Sequence, residues 1–452
     1  MKKTKTPWSW IPSLYFTQGI PYVVVALLTA PMFVNLGLSN AEMAYYSSLL
    51  GFPWILKPIW SPIVGAIKSN RFWVVATQIL MGFLFAVTAF FIVQDGTFTT
   101  SESFEFRGNF AWFFAFLMLL AFNSATHDIS ADGLYIEVLP EEKQSFYVGI
   151  RSSFYRVAMI IGQGGLLALA GILSEGGTFG IEKWGVHFFS FKGFGGDFYK
   201  AWSSIFIGVG VYLVIVSVYH AFILPKANIV NDKIDLSQIK KDIVETFVTF
   251  FRIKNIGIHV SVLLLFRLGE AQLVKLAQPF LLDESLNGGL GLSNIDIGLL
   301  YGTFGVLSLT IGGILGGVIV SKDGLKKWFL PMILAINLPN SMYLLMAYFK
   351  PESNVSIGAA IAMEQFGYGF GFTAYMMYMI YITKDSGKYK TAHFAFATGL
   401  MALGMTLPGM PSGWLQEQLG YVNFFWWVLI SMVPMLAIYK FVKIDSGFGK
   451  KK

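Results

Sequence analysis

The chain has 452 residues, of which 55% are hydrophobic and only 13% charged, with 43 Phe, no Cys and a net charge of +7. Soluble domains carry about 25% charged residues, so the composition reads as an all-α polytopic membrane protein. Without cysteine there is no disulfide framework, thiolate metal site or cysteine nucleophile. The basic residues sit in short loops rather than one patch, which argues against a nucleic-acid partner.

MKKTKTPWSW leads into an apolar helix with no small-residue cleavage site, so an uncleaved first span is expected. Apolar runs then predict twelve transmembrane helices, at 10–35, 42–66, 72–94, 110–138, 146–173, 201–224, 256–282, 294–320, 327–349, 355–383, 391–415 and 421–442. The long link 225–255 divides them into two pseudo-symmetric six-helix halves, 1–224 and 256–452. Its DLSQIKKDIVETFVTFF portion has the period of an amphipathic surface helix. The loop 174–200, rich in Gly and aromatics, is expected to be an ordered external loop or a lid. With both termini cytoplasmic, 23 Lys and Arg fall in cytoplasmic loops and tails and five in external loops. The positive-inside rule selects that orientation.

Charges within the spans carry the functional signal, because one at mid-bilayer costs ~2.5–3.5 kcal/mol or more. Residues four apart share a helix face. Asp128 and Asp132 therefore lie together, roughly 18 and 12 Å before Pro140, where the fourth span is expected to end. Arg151 and Arg156 lie roughly 9 and 16 Å into the returning fifth span. The matched depths predict a ladder, Asp132 with Arg151 and Asp128 with Arg156. It is either a fixed tie between helices or a proton-linked switch. His127, about 100° round from Asp128, is expected to be a bystander.

In the seventh span Arg267 and Glu270 can pair at i, i+3, and Lys275, Gln272 and Gln278 extend its polarity. The first span offers Gln18, Tyr15 and Tyr22 around a GIP bend. The tenth offers Glu364 and Tyr368 in the Gly-rich stretch EQFGYGFGFTAY, where Gly allows close helix packing and Glu364 is expected to face a cavity. Arg267, Glu270, Lys275 and Glu364 are candidate substrate contacts, together with Gln18, Tyr22, Gln278 and Tyr368. Lys57, in WILKPIW, either snorkels to lipid phosphate or gates. No Walker loop, HExxH or GxSxG triad is visible, so neither an enzyme nor an ATP-driven pump is expected, and no cofactor or metal. A secondary transporter driven by an ion gradient is left.

Motifs sharpen this. GGVIVSKDGLKKW, 316–328, is similar to the loop G-x-x-x-D-R-x-G-R-R of the major facilitator superfamily. Gly317, Lys322, Gly324, Lys326 and Lys327 fit, while Ser321 stands in place of the acid. FTQGIPYVVVAL, ILKPIWSPIVG, SATHDISADGLYIEVLPEE, FYRVAM, LLFRLGEA, EQFGYGFGFTAY, HFAFATGLMALG and SGWLQEQLGYVNFF span the chain. Together they resemble the AmpG-type muropeptide permeases of that superfamily, a group related to acetyl-CoA transporters. Asp128, Asp132, Arg156, Arg267 and Glu270 match the family pattern, while His127 replaces its Gln and Gly65 an Asp. The resemblance implies proton-coupled import of GlcNAc–anhydro-muramyl products through a bacterial inner membrane. The alternative expectation is a symporter of another sugar, amino sugar or oligosaccharide. The expected partners are that substrate, protons and the bilayer, and the protein is expected to act as a monomer.

Overall fold

The computed structural model describes residues 6–93, 108–139, 141–181, 186–226, 236–387 and 390–450. Pro140, used above as the end of a span, lies outside them.

Apolar runs long enough to cross a bilayer form helices, since only internally bonded backbone is tolerated there. The first is α1 (Ile11–Tyr22), continued through a π-helical turn at Val23–Leu27 into α2 (Thr29–Asn35). Next come α3 (Asn40–Leu49) and α4 (Phe52–Ile67), which are separated at Leu50–Gly51. α5 (Asn70–Val93) and α6 (Gly108–Val138) follow. α7 (Glu141–Ile160) runs through a second π turn, Ile161–Leu166, into α8 (Leu167–Glu175). Loop 174–200 contains an antiparallel hairpin, β1 (Gly177–Ile181) and β2 (Val186–Phe191), with a bulge after Phe179. α9 (Phe198–Ile223) starts at Asp197, which caps it by accepting from the Lys200 amide at 3.0 Å.

α10 (Leu236–Phe251) occupies the amphipathic stretch of the link. It meets α11 (Ile256–Leu265) and α12 (Leu268–Leu282) at a bend of 100°. The corner is made by Asn255, whose φ of 61° is left-handed, a conformation Asn adopts more readily than most residues. α13 (Asn294–Ile297) leads through a third π turn, Gly298–Gly305, into α14 (Val306–Asp323). Then follow α15 (Leu325–Asn337), α16 (Ser341–Phe349), α17 (Asn354–Thr383), α18 (Lys390–Gly409), α19 (Ser412–Ile430) and α20 (Val433–Tyr439).

Among the described residues eight helices are long and apolar enough to cross a membrane, nine if the bent pair counts as one span. The test is passed neither by α3–α4, broken and proline-rich, nor by α17 and α18. At 1.5 Å per residue the 30 residues of α17 reach about 45 Å; its many Gly and Tyr residues, together with Glu364 and Gln365, and not its length, set it apart. Outward faces are apolar. On α9, Ile207, Val211, Val214, Ile215, Val218 and Phe222 form one exposed stripe, as expected of a lipid-facing helix.

Contacts group the chain into two compact units. The first comprises Met1–Ser39, Trp60–Ile234 and Ser293–Thr303, and the second Asn40–Ile59, Asp235–Leu292 and Phe304–Lys452. In the first, α5 lies between α6 and α9, and α1 packs on α7. Its core includes Trp10, Leu14, Val74, Leu134 and Tyr135. In the second, the glycines of α17 let it approach α14 on one side and α15 on the other. A methyl at Gly369 would sit 1.9 Å from the Leu309 carbonyl oxygen, and one at Gly371 2.4 Å from that of Met332. Phe266 stacks on Tyr375 at 4.6 Å within that unit's core. Gly324 turns the chain between α14 and α15 at φ 89°, and the following Leu325 amide donates to the Phe448 carbonyl at 2.9 Å.

Candidate functional site

In the first unit the polar cluster is built on α1, α6 and α7. Arg151 lies 3.2 Å from the Asp132 carboxylate. Tyr15 of α1 joins them, its hydroxyl donating to Asp132 at 3.0 Å and accepting from Arg151 at 2.9 Å. The guanidinium lies over the rings of Tyr15 and Tyr135, 4.7 and 4.9 Å from their centres, adding cation–π attraction. One rung of the expected ladder is thus present, with a tyrosine inserted.

The other rung is not formed: among the described residues no ion pair joins Asp128 to Arg156. Helix rotation explains this. Arg151 and Arg156 are five residues apart and so point about 140° away from each other, whereas Asp128 and Asp132 differ by only about 40°. Matched depth is not enough when one partner helix turns its second cation aside. Asp128 is buried on α6, within electrostatic range of Tyr155, whose ring is 6.3 Å from that of Tyr22. Gln18 is buried on α1, and its side-chain oxygen has no hydrogen-bond partner among the described residues.

His127 is no bystander to the packing. It hydrogen-bonds Gln78 at 2.9 Å, Gln78 bonds His220 at 3.0 Å, and His220 bonds Ser13 at 3.0 Å. This buried chain ties α6, α5, α9 and α1. Tyr15→Phe removes the hydroxyl that links Arg151 to Asp132 and leaves Asp132 one donor short. Asp132 is partly exposed and keeps Arg151, so we expect a stability loss of about 0.5–1.5 kcal/mol, read as a lower thermal-unfolding midpoint of the purified protein.

In the second unit Arg267 sits at the break between α11 and α12, in a non-helical conformation that heads α12. Its Nε donates to Glu270 at 2.8 Å and a terminal nitrogen donates to the Tyr368 hydroxyl at 2.6 Å. The rings of Tyr368 and Phe372 lie 4.8 and 5.1 Å from the guanidinium carbon. Arg267 and Glu270 are 7% and 2% exposed, so the pair is held out of solvent. Glu364, equally buried, accepts from Gln365 at 2.9 Å and lies within electrostatic range of Glu270. Lys275 donates to Ser47 at 3.1 Å rather than to an acid. Gln278 is buried, and its side-chain oxygen has no hydrogen-bond partner among the described residues.

A further polar knot was not signalled by intramembrane charge. The Tyr421 hydroxyl donates to Asp283 at 2.5 Å. The Asn40 amide nitrogen reaches Gln416 at 2.8 Å, the Tyr421 hydroxyl at 3.1 Å and Asp283 at 3.3 Å. Glu417 accepts from the Ala41 amide at 2.7 Å. Its only sequence trace is the stretch SGWLQEQLGY, read above for resemblance alone. Among the candidate gating residues, Lys327 pairs with Asp323 at 2.9 Å, and the indole of Trp328 donates to the same oxygen. The acid missing at Ser321 is therefore supplied two residues later. Lys322 and Lys326 are exposed, and Lys57 is half-buried on α4.

One kind of geometry thus recurs, a cation clamped by aromatic rings against one carboxylate in each unit. Residues 10–256, more than half of the chain, match the model of the acetyl-coenzyme A transporter 1 family. The chain belongs to this family. The chain is also similar to the anhydromuropeptide permease of Escherichia coli (strain K12). The two are 24% identical over 433 residues, covering 94% of this chain and 77% of that one. It is also similar to putative transporter AmpG 4 of Rickettsia conorii, 22% identical over 436 residues and 94% of each chain.

Solved structures with the same fold include the nucleoside transporter NupG, with a TM-score of 0.67, 14% identity and 95% and 98% of the two chains covered. The D-xylose–proton symporter gives 0.66 at 12% identity, covering 98% and 99%. A bacterial homologue of the human lysosomal transporter Spinster gives 0.64 at 15%, covering 95% and 94%. The AmpG-type resemblance read from the motifs therefore holds, and the helices adopt a major facilitator fold. This family member is a multi-pass membrane transporter, not an enzyme.

Proposed function

We propose that the protein is a proton-coupled importer of muropeptides, GlcNAc–anhydro-muramyl products of wall turnover, in a bacterial inner membrane. It works as a monomer with both termini cytoplasmic. Its twelve spans form two six-helix halves, 1–224 and 256–452, joined by the link 225–255. The mechanism is alternating access around a midplane site. The observation that carries this reading is the buried Arg267, held between Glu270 and two aromatic rings. Such a guanidinium suits the carboxylate of a muramyl lactyl or peptide group. The similarity to the anhydromuropeptide permease over 94% of the chain points to the same substrate class. Gln18, Tyr22, Lys275, Gln278, Glu364 and Tyr368 complete the substrate contacts. Lys57, Lys322, Lys326 and Lys327 act at the cytoplasmic gate. Asp128, Asp132, Arg151 and Arg156 carry the proton-linked switch, with Asp128 the group that exchanges its proton.

The test is uptake into proteoliposomes under an imposed proton gradient. Labelled GlcNAc–anhydro-muramyl peptide is compared with a neutral disaccharide and with acetyl-CoA, the compound in the family's name. Gradient-driven accumulation of the muropeptide is expected, with Asp128→Asn reducing it to equilibration while exchange across the membrane continues. Unchanged accumulation by Asp128→Asn sinks the proton assignment. Preference for the neutral sugar or for acetyl-CoA sinks the substrate assignment.

A further inference from the structure

Where α10 turns into α11, the second unit encloses a cavity of about 650 Å³. It shares no residue with the cluster around Arg267. Four cationic side chains line it, Arg252, Lys254, Lys384 and Lys443, against two carboxylates, Asp385 and Asp445. Lys384 is committed: it forms an ion pair with Asp445 and lies over the Tyr381 ring at 4.5 Å. The hydrogen bond from Lys384 holds the Asp445 carboxyl below its ordinary range, so this pair is internally neutral. Arg252, Lys254 and Lys443 remain against the single carboxylate of Asp385, and among the described residues none of the three makes an ion pair. The N-terminus of α11 also borders the cavity, and its cap residue Asn255 makes no side-chain capping bond. The Ile256 and Ile258 amides already donate to the Ile253 and Asn255 carbonyls, so what this end of α11 offers an anion is the positive end of its dipole.

The depth of the cavity follows from α10. Val244, Phe247, Val248 and Phe251 are exposed at i, i+3, i+4 and i+7, an apolar stripe on the outer face. A helix of this kind lies in the headgroup layer, and the cavity opens at its end. We propose that this cavity binds a phosphate-bearing anion, entered at the level of the lipid headgroups. Phosphate oxygens suit the Arg252 fork and the two lysines. Basic pockets between spans at that level take anionic headgroups. The proposal rests on the chain spanning a membrane and is independent of the transported substrate.

The experiment follows thermal unfolding of the purified full-length protein in neutral detergent. It is titrated separately with dioctanoyl-phosphatidylglycerol, dioctanoyl-phosphatidylcholine and inorganic phosphate. Phosphatidylglycerol is expected to raise the midpoint saturably, and phosphatidylcholine to do so far less. Arg252→Gln/Lys443→Gln should raise the phosphatidylglycerol concentration required by roughly tenfold or more. Lys68→Gln/Lys226→Gln removes two exposed charges from the other unit and should leave the titration unchanged. Protection by inorganic phosphate instead of lipid, lost in the same cavity variant, upholds the site and makes its anion soluble. Absence of protection by either probe overturns the proposal. So does equal protection by phosphatidylcholine, or a cavity variant that titrates like the wild type.

Discussion

Arg267→Ala is expected to abolish muropeptide uptake and to destabilise the fold by about 3–5 kcal/mol, because Glu270 is left charged and buried without its partner. The two effects separate in a double variant. Arg267→Met/Glu270→Leu replaces the ion pair with apolar groups of similar size, which recovers most of the stability. Uptake should not recover, since the guanidinium proposed to hold the substrate carboxylate is gone and Lys275, bonded to Ser47, offers no bidentate fork in its place. A loss of about 100-fold, equivalent to ~2.8 kcal/mol, is the expected reading in proteoliposomes, with thermal unfolding measured on the same samples. If uptake returns with stability, Arg267 serves only to hold α12 in place.

Gly369→Val is expected to prevent assembly of the second unit. The added Cβ would lie 1.9 Å from the Leu309 carbonyl oxygen and 2.8 Å from its carbon. Both are backbone atoms, so no side chain can swing away, and α17 must separate from α14. Overpacking of this kind costs about 1–3 kcal/mol or more, and separating the helices also gives up the Gly312 and Gly316 contacts with α17. The measurement is the yield of monodisperse protein after detergent extraction. Gly317→Ala, on α14 with nothing within 4 Å of the new methyl, is the matched control. It should be neutral or stabilising by roughly 0.5–1 kcal/mol, through helix propensity alone. Loss in both variants would place the cause in glycine's local backbone freedom rather than in the α14–α17 contact.

What the sequence made legible was whatever depends on local spacing. Arg267 and Glu270 are three residues apart on one chain segment, and their pairing followed from that distance. The α10 helix followed from its period, and the glycine contacts of α17 from composition. The ladder shows where such reasoning stops. Depth along two antiparallel helices could be counted, which located Asp132 opposite Arg151, but rotation about each axis could not. The second rung failed on that angle. Partners distant in the chain were beyond reach for the same reason. His127 meets Gln78, and Gln78 meets His220, only once three helices have packed. Asn40, Asp283 and Tyr421 lie on three segments with no shared period. The hairpin in loop 174–200 had no strand signal strong enough to separate it from an ordered coil.

The corner at Asn255 has a mechanical consequence. The ring of Phe250 packs 4.8 Å from that of Phe396, and Thr249 bonds His393 at 3.0 Å, so α10 is fastened to α18 as well as to α11. It is therefore an outrigger of the second unit and not a slack tether. If the second unit tilts in the transport cycle proposed above, it carries the outrigger with it and lifts or presses its row of Phe and Val against the bilayer surface. On that mechanism the membrane would resist or assist the stroke according to how readily it yields, and lipid packing would enter the transport rate as a load on a lever.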